Sequence, residues 1–349
     1  MAQGEMAREM KKDMNDEIFR RKEEHIDLCL KEDVQSLQSA GWDQIRLPHC
    51  ALPELDLAQI TTDCSFLGRD FAAPFMISSM SGGSPAGEKL NQTLGEFAQR
   101  ANLPMGVGSQ RIALENRDKK LFDLRKVAPK ATLYANIGLV QLNCGVSVED
   151  CQWLVDSLEA QALIVHLNPL QEAVQENGNT RFSGLLLKLS ELAKRVSVPL
   201  ILKETGCGLD PLSAKRALEA GVAAFDAAGL GGTHWGYIEG LRTPSRAHLG
   251  EMFRSWGRPS AAALVDLRAA LGPSVPIVAS GGLRNGLDAA KALHLGADFV
   301  AMALPFLQAA QSGVEGLETF LKQNIEALKI ALFCSGRKAV RTLSRHGKL

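Results

Sequence analysis

Five stretches of the 349-residue chain carry side chains whose types and spacing could do chemistry. Residues 166–172, His-Leu-Asn-Pro-Leu-Gln-Glu, place an imidazole, two amides and a carboxylate within seven positions. Gln171 is neutral at every working pH, so it could orient a substrate or relay a proton but cannot alone be a strong acid or base. Lys203 ends an apolar run and would be a fixed cation. Its bland reading is a pair with Glu204 or another carboxylate; beside glycine loops, a functional lysine is the stronger expectation. Gly231-Gly232-Thr233 and Ser280-Gly281-Gly282 are glycine loops, the second opening a helix, and such loops present backbone N–H groups to phosphate. Arg21, Lys22 and His25 lie within five residues, and Arg21 and His25 share a face if helical. With Arg111 they could neutralise a diphosphate, whereas a charge run near a terminus is otherwise a solvated face.

These groups need a scaffold, and the chain has a periodic one. Eight apolar runs cover residues 74–80, 103–109, 131–138, 162–168, 199–206, 222–229, 275–282 and 299–306. Each is apolar on both faces, as parallel strands covered by helices should be. Helical stretches are expected between them at 86–100, 148–160, 211–220, 284–295 and 313–331, with Ser147 and Asp210 as N-caps. Eight βα repeats predict a TIM (β/α)8 barrel over residues 74–349. A doubly wound sheet is the alternative, but it has fewer strands, and no GxGxxG follows the first run. Residues 1–73 are expected to be an extension packed on the barrel: charged helical texture over 6–37, then short apolar pieces over 45–71, a candidate hairpin capping the barrel floor. One domain is expected overall. Residues 230–257 form a long insertion after strand six, where a loop of that length serves function or moves. Barrel active sites lie at the C-terminal strand ends. Those ends offer Ser79, Met80 and Ser81; Ser109 and Arg111; Asn136; His166 and Asn168; Lys203; Thr233; Gly281, Gly282 and Arg284; and Ala303 with Leu304.

Composition narrows the function classes. Lys plus Arg and Asp plus Glu both total 39, so the formal net charge is zero. That argues against a general nucleic-acid or membrane-surface binder. No apolar run reaches the length of a membrane helix, and the charged first 25 residues lack a signal-peptide core. The seven cysteines form no CxxC pair, which predicts reduced thiols and a cytoplasmic protein.

The motifs together resemble the FMN-dependent, type 2 isopentenyl-diphosphate delta-isomerase family. The matching segments are Arg21-Lys22-Glu23-Glu24-His25, Met80-Ser81-Gly82-Gly83, Gly108-Ser109-Gln110-Arg111, 166–172, Lys203-Glu204 with Gly206-Cys207-Gly208, Gly231-Gly232-Thr233 with Trp235, and Ser280-Gly281-Gly282-Leu283-Arg284. The glycine loops and Lys203 recur in other FMN barrels; the 21–25 and 166–172 runs are more specific to the isomerase. The resemblance implies interconversion of isopentenyl and dimethylallyl diphosphate in isoprenoid biosynthesis. Reduced FMN would act as the acid/base cofactor, NADPH or NADH would be the reductant, and Glu172 would be the Mg2+ ligand. It implies FMN binding by Ser79, Met80, Ser81, Ser109, Asn136, Lys203, Thr233, Gly281, Gly282, Arg284, Ala303 and Leu304. Substrate would be bound by Arg21, Lys22, His25, Arg111, His166, Asn168 and Gln171, with Gln171 and His166 catalytic. A homo-oligomer, tetramer or octamer, is implied. Ser81 replaces a common threonine, Thr205 and Cys207 a common valine and phenylalanine, and His234 a small or polar residue. These departures fall on the expected pocket wall. The competing reading is an FMN-dependent oxidoreductase of the 2-hydroxy-acid oxidase type, which needs a His base beside an Arg clamp. Arg284 is present, and the nearest candidate base is His234. An inosinate-type dehydrogenase would need a cysteine within 230–257, and there is none. A non-catalytic flavin-binding barrel is the last alternative.

Overall fold

A computed structural model describes residues 18–80 and 82–343. It begins with helix α1, residues 18–31. A two-stranded hairpin follows, β1 (Cys64–Phe66) and β2 (Arg69–Phe71), antiparallel. Eight strands then close a barrel: β3 (Phe75–Ile77), β4 (Met105–Gly106), β5 (Leu133–Gly138), β6 (Ala162–Leu167), β7 (Leu200–Glu204), β8 (Ala224–Asp226), β9 (Ile277–Ala279) and β10 (Phe299–Met302). Every neighbouring pair is parallel, and β10 hydrogen-bonds back to β3. Each of the eight expected runs contains one barrel strand.

The intervening helices cover the strands. They are α2 (Pro85–Ala101), α3 (Arg111–Asn116), α4 (Val148–Leu158), α5 (Pro169–Val174), α6 (Leu185–Arg195) and α7 (Pro211–Glu219). After β8 come α8 (Trp235–Arg242), α9 (Ala247–Met252) and α10 (Ser260–Leu271); then α11 (Gly286–His294), α12 (Leu304–Ala310) and α13 (Gly313–Cys334). Side-chain caps fix the starts. Ser147 and Asp150 form a reciprocal capping box on α4, and Asp210 accepts from Ser213 N–H on α7. Helix α11 starts at 286 rather than 284, because Asn285 accepts from both Leu287 and Asp288 N–H.

The barrel floor is plugged by the hairpin. Phe66 and Phe71 pack 5.1 and 5.5 Å from the Phe299 ring, in a buried cluster with Met76, Tyr134 and Ile164. The expected hairpin is confined to residues 64–71. Upstream, Leu57–Gln59 is a 3-10 turn, and Pro48 and Pro53 interrupt any ladder there. Within the insertion, α8 and α9 cross where Gly240 meets Gly250; a Cβ on Gly240 would lie 2.8 Å from the Gly250 Cα. Among the described residues no helix is long and apolar enough to cross a membrane.

Candidate active site

The C-terminal strand ends open into one cleft of about 1800 Å3, part of it open to solvent. Around it stand Ser79 and Met80 after β3, Ser109 and Arg111 after β4, and Asn136 on β5. His166, Asn168, Gln171 and Glu172 follow from β6 and α5, and Lys203 from β7. Thr233, Gly281, Gly282, Arg284, Ala303 and Leu304 complete the strand-end set. Arg21, Lys22 and His25 reach in from α1. The sequence-selected residues thus converge on one cavity. Ser81 lies outside the described residues.

On the β6 side the polar groups form a chain. Asn136 donates Nδ2 to Val107 O at 3.0 Å, so its Oδ1 accepts from His166 Nδ1 at 2.9 Å. The missing side chain of Gly138 makes room for the ring: a Cβ there would lie 2.9 Å from His166 Nε2. Burial, with Lys203 and Lys22 nearby, brings His166 down to about 4. The imidazole therefore faces the cleft uncharged near neutral pH. Asn168 donates to Gln171 Oε1 at 3.2 Å and to Glu172 Oε1 at 3.0 Å. The second Glu172 oxygen accepts from Asn179 N–H at 2.5 Å.

Gln171 does not end this chain. Its Nε2 donates to Glu239 Oε1 at 2.8 Å. Glu239, on α8, is fully buried. His25 Nε2 lies 3.0 Å from the same oxygen, and Arg242 reaches the other at 2.8 Å. Burial alone would push the Glu239 carboxyl up, but His25, Gln171 and Arg242 outweigh it and hold it at about 2. It is a carboxylate at every working pH. Sequence reading missed Glu239; a glutamate three residues before an arginine on a short helix is not distinctive by itself.

At the α1 side Lys22 donates to Gly82 O at 2.7 Å and Ser109 O at 2.9 Å. Burial, helped by Arg21, brings it down to about 7. Arg111 pairs with Glu115 at 2.6 Å, and Arg242 ties Glu24 of α1 to α8 at 2.8 Å.

Four residues sharpen or correct the sequence reading. Lys203 has a carboxylate partner, as its bland reading allowed: its Nζ lies 2.7 Å from Asp226 Oδ2 and 3.3 Å from Ser280 Oγ. Glu204 is not its hydrogen-bonded partner, because one Glu204 oxygen accepts from the N–H groups of Gly206, Cys207 and Gly208. His234 is not on the pocket wall. It is buried and caps α8, its Nδ1 accepting from Tyr237 N–H at 3.0 Å. Cys207 also stands off the cleft wall, against Gly257, and burial pushes its thiol up.

The residues fit an FMN and a single-carboxylate Mg2+. A Cβ on Gly232 would lie 2.7 Å from Gly282 N, so the two phosphate-type loops touch through glycine backbone. Gly281 and Gly282 have φ of +92° and +67°, a region that favours glycine. Ser79 Oγ, buried on the cleft wall, has no hydrogen-bond partner and is available to a ligand. Among the described residues no group of three or more His, Cys, Asp or Glu could hold a metal. Glu172 alone suits Mg2+, which keeps water and phosphate oxygens for the rest of its shell.

Known proteins share the fold and, in part, the sequence. A family model described as FMN-dependent dehydrogenase matches residues 153–347. The fold resembles a lactate oxidase from Pediococcus acidilactici, 18% identical with a TM-score of 0.65, over 90% of this chain and 86% of that one. It also resembles the flavin-binding domain of baker's yeast flavocytochrome b2, 17% identical with a TM-score of 0.63, over 87% and 76%. Isopentenyl-diphosphate delta-isomerase from Synechococcus is 46% identical over 94% of this chain and 95% of its own. The enzyme of that name from Xanthobacter autotrophicus is 43% identical, over 93% and 96%. The chain belongs to the FMN-dependent, type 2 isopentenyl-diphosphate delta-isomerase family.

Proposed function

We propose that this chain interconverts isopentenyl and dimethylallyl diphosphate in the cytoplasm, as a homo-oligomer of four or eight subunits. Bound reduced FMN would supply acid/base chemistry with no net redox change, after reduction by NADPH or NADH. The observation that carries the reading is the Gln171–Glu239 bond of 2.8 Å, beside a cluster of cations and opposite glycine loops suited to phosphate. A neutral amide backed by a carboxylate is held in one orientation at the cleft wall, its carbonyl oxygen accepting from Asn168. Arg21 and Arg111 supply positive charge that a diphosphate requires, together with Lys22, which the bound anion would recharge, while burial holds His25 below its ordinary range. Glu172 would hold Mg2+ against the same phosphates, with Asn168 and the Asn179 N–H orienting its oxygens. Glycine loops and Ser79 would hold the FMN phosphate and ring edge, with Lys203 beside the ring. Met80, Ile26, Leu304 and Leu307 give the cleft the apolar surface a five-carbon alkenyl tail needs.

His234 supports this reading over hydroxy-acid oxidation, because it caps a helix instead of facing the cleft beside Arg284. The direct test is an anaerobic incubation of FMN-loaded protein with isopentenyl diphosphate, Mg2+ and NADPH. Dimethylallyl diphosphate should accumulate to equilibrium without stoichiometric NADPH loss. Absence of product with the flavin bound and reduced would overturn the assignment.

A further inference from the structure

Lys203, Asp226 and Ser280 form a closed triangle beneath the cleft. Lys203 Nζ donates to Asp226 Oδ2 at 2.7 Å, and Ser280 Oγ donates to Asp226 Oδ1 at 2.5 Å. Ser280 Oγ also lies 3.3 Å from Lys203 Nζ. Ala228 N–H donates to Asp226 Oδ1 at 3.2 Å, so both carboxylate oxygens are engaged. The three side chains come from adjacent strands β7 and β8 and from the residue after β9. All three are buried, but only Lys203 and Ser280 face the cleft. The carboxylate sits behind, the ammonium in front.

We propose that Asp226 is a positioning residue that keeps Lys203 protonated and aimed into the cleft, where a flavin would meet its charge. This rests on the cleft's being the FMN site. An ammonium buried to this degree loses its hydration, and burial disfavours the charged form of a lysine. A carboxylate at ion-pair distance restores that form. Without the carboxylate, an uncompensated buried charge would remain. The other charged or titratable groups around Lys203 do not replace Asp226. His166, paired with it in register on β6, is uncharged near neutral pH; Glu204 acts on Lys203 through space, but one of its oxygens is held by three backbone N–H groups and it makes no hydrogen bond to the ammonium. Lys22, on α1, adds only positive charge.

The pair also sets how strongly the protein favours reduced flavin. A lysine that stays protonated in both redox states takes up no proton when the flavin is reduced. A lysine that is neutral beside oxidised flavin gains one when negative charge appears on the ring. Asp226 therefore separates flavin reduction from the protonation of Lys203.

The test uses Asp226→Asn in two measurements. In flavin-free protein, the pH dependence of Lys203 methylation by formaldehyde and borohydride is read by mass spectrometry, since only the neutral amine reacts. The labelling curve should move to lower pH than in wild type, because the buried amine has lost its carboxylate. In FMN-loaded protein, the flavin midpoint potential should depend more steeply on pH, by one additional proton per two electrons. Superimposable labelling curves would overturn the proposal whatever the flavin does. A shifted labelling curve in a protein that does not bind FMN would keep Asp226's hold on Lys203 and reject the flavin site instead. Should Asp226→Asn not fold, Ser280→Ala keeps the ion pair and removes both Ser280 bonds, the one it donates to Asp226 Oδ1 and the one it accepts from Lys203 Nζ. Its labelling midpoint should lie below wild type, and an unchanged midpoint there would count against the triangle.

Discussion

Gln171 separates proton relay from flavin support. Asn at this position shortens the side chain by one methylene and takes it out of reach of Glu239 Oε1 at 2.8 Å. Losing a placed acid–base group costs about 10²- to 10⁴-fold in rate. Gln171→Asn should therefore lower isomerisation by at least about 100-fold, while anaerobic bleaching of the flavin by NADPH stays near wild type. If both rates fall together, Gln171 serves the flavin and not the alkene. Lys22 allows a second prediction, on pH. The unfolded chain keeps this lysine charged to its ordinary range, whereas the folded free protein keeps it charged only up to about 7. Between those values the unfolded state holds the additional proton, so this group's contribution to stability rises with pH across that window. A bound diphosphate supplies the missing anion and brings the proton back. Calorimetry at pH 8 in buffers of different ionisation heat should therefore find more proton uptake on diphosphate binding in wild type than in Lys22→Ala. Equal uptake would mean that Lys22 does not meet the phosphates. The residue types at the strand ends were legible in the sequence, because polar groups stand out at the ends of apolar runs. Their partners were not. Asp226 is 23 residues from Lys203, and Glu239 is 68 from Gln171, and only barrel closure and the α8 insertion bring them together.

Strands and glycine loops are the elements that hold these groups. The eight strands were readable because covered parallel strands are apolar on both faces. The region before them was harder, since only residues 64–71 of the expected 45–71 stretch pair as strands. Those short pieces take their shape from contacts with the barrel, not from a periodicity of their own. The contact between the loops after β8 and β9 carries a direct prediction. Gly232 has backbone in front of it: a Cβ would meet Gly282 N at 2.7 Å and the Gly281 Cα at 3.4 Å. Backbone cannot swing away as a side-chain tip can, so Gly232→Ala must part the two loops. Overpacking of this kind costs about 1–3 kcal/mol. Paid at a phosphate-type loop, it should weaken FMN binding by about tenfold or more, as measured by fluorescence titration of the flavin. Gly184, with open space around its Cβ position but φ of +75°, is the matched control away from the cleft. Gly184→Ala should cost stability and leave FMN affinity unchanged.

At the scale of the whole molecule, the barrel divides its labour between its two ends. The C-terminal end holds Lys203, Gln171, Glu172 and the glycine loops. The opposite end holds Phe66, Phe71 and Phe299 and carries none of the polar groups assigned to the cleft. Arg125 works at that lower end too, donating to the carbonyls of Ala131, Leu158 and Glu159 and so clamping the turns that lead into β5 and β6. The two ends should therefore fail independently. Phe66 is 2% exposed and stacks on Phe299, so Phe66→Ala leaves a cavity in the plug. Such truncations cost about 3–5 kcal/mol, which for a chain of this length lowers the thermal midpoint by about 4–7 °C. At 25 °C the surviving folded protein should keep its FMN and its turnover, because nothing at the cleft has moved. Glu172→Gln should do the reverse. It replaces a carboxylate whose two oxygens both accept by an amide of the same shape, keeping the bond from Asn168 at the carbonyl oxygen, losing the one from Asn179 N–H and weakening the hold on Mg2+. Thermal melting should fall by less than in Phe66→Ala, since one hydrogen bond is lost and no cavity forms, while activity at low Mg2+ is lost and partly returns at high Mg2+. A Phe66→Ala protein that lost FMN at 25 °C before losing its fold would show that the floor reaches the cofactor site, and the separation of stability from function along the barrel axis would not hold.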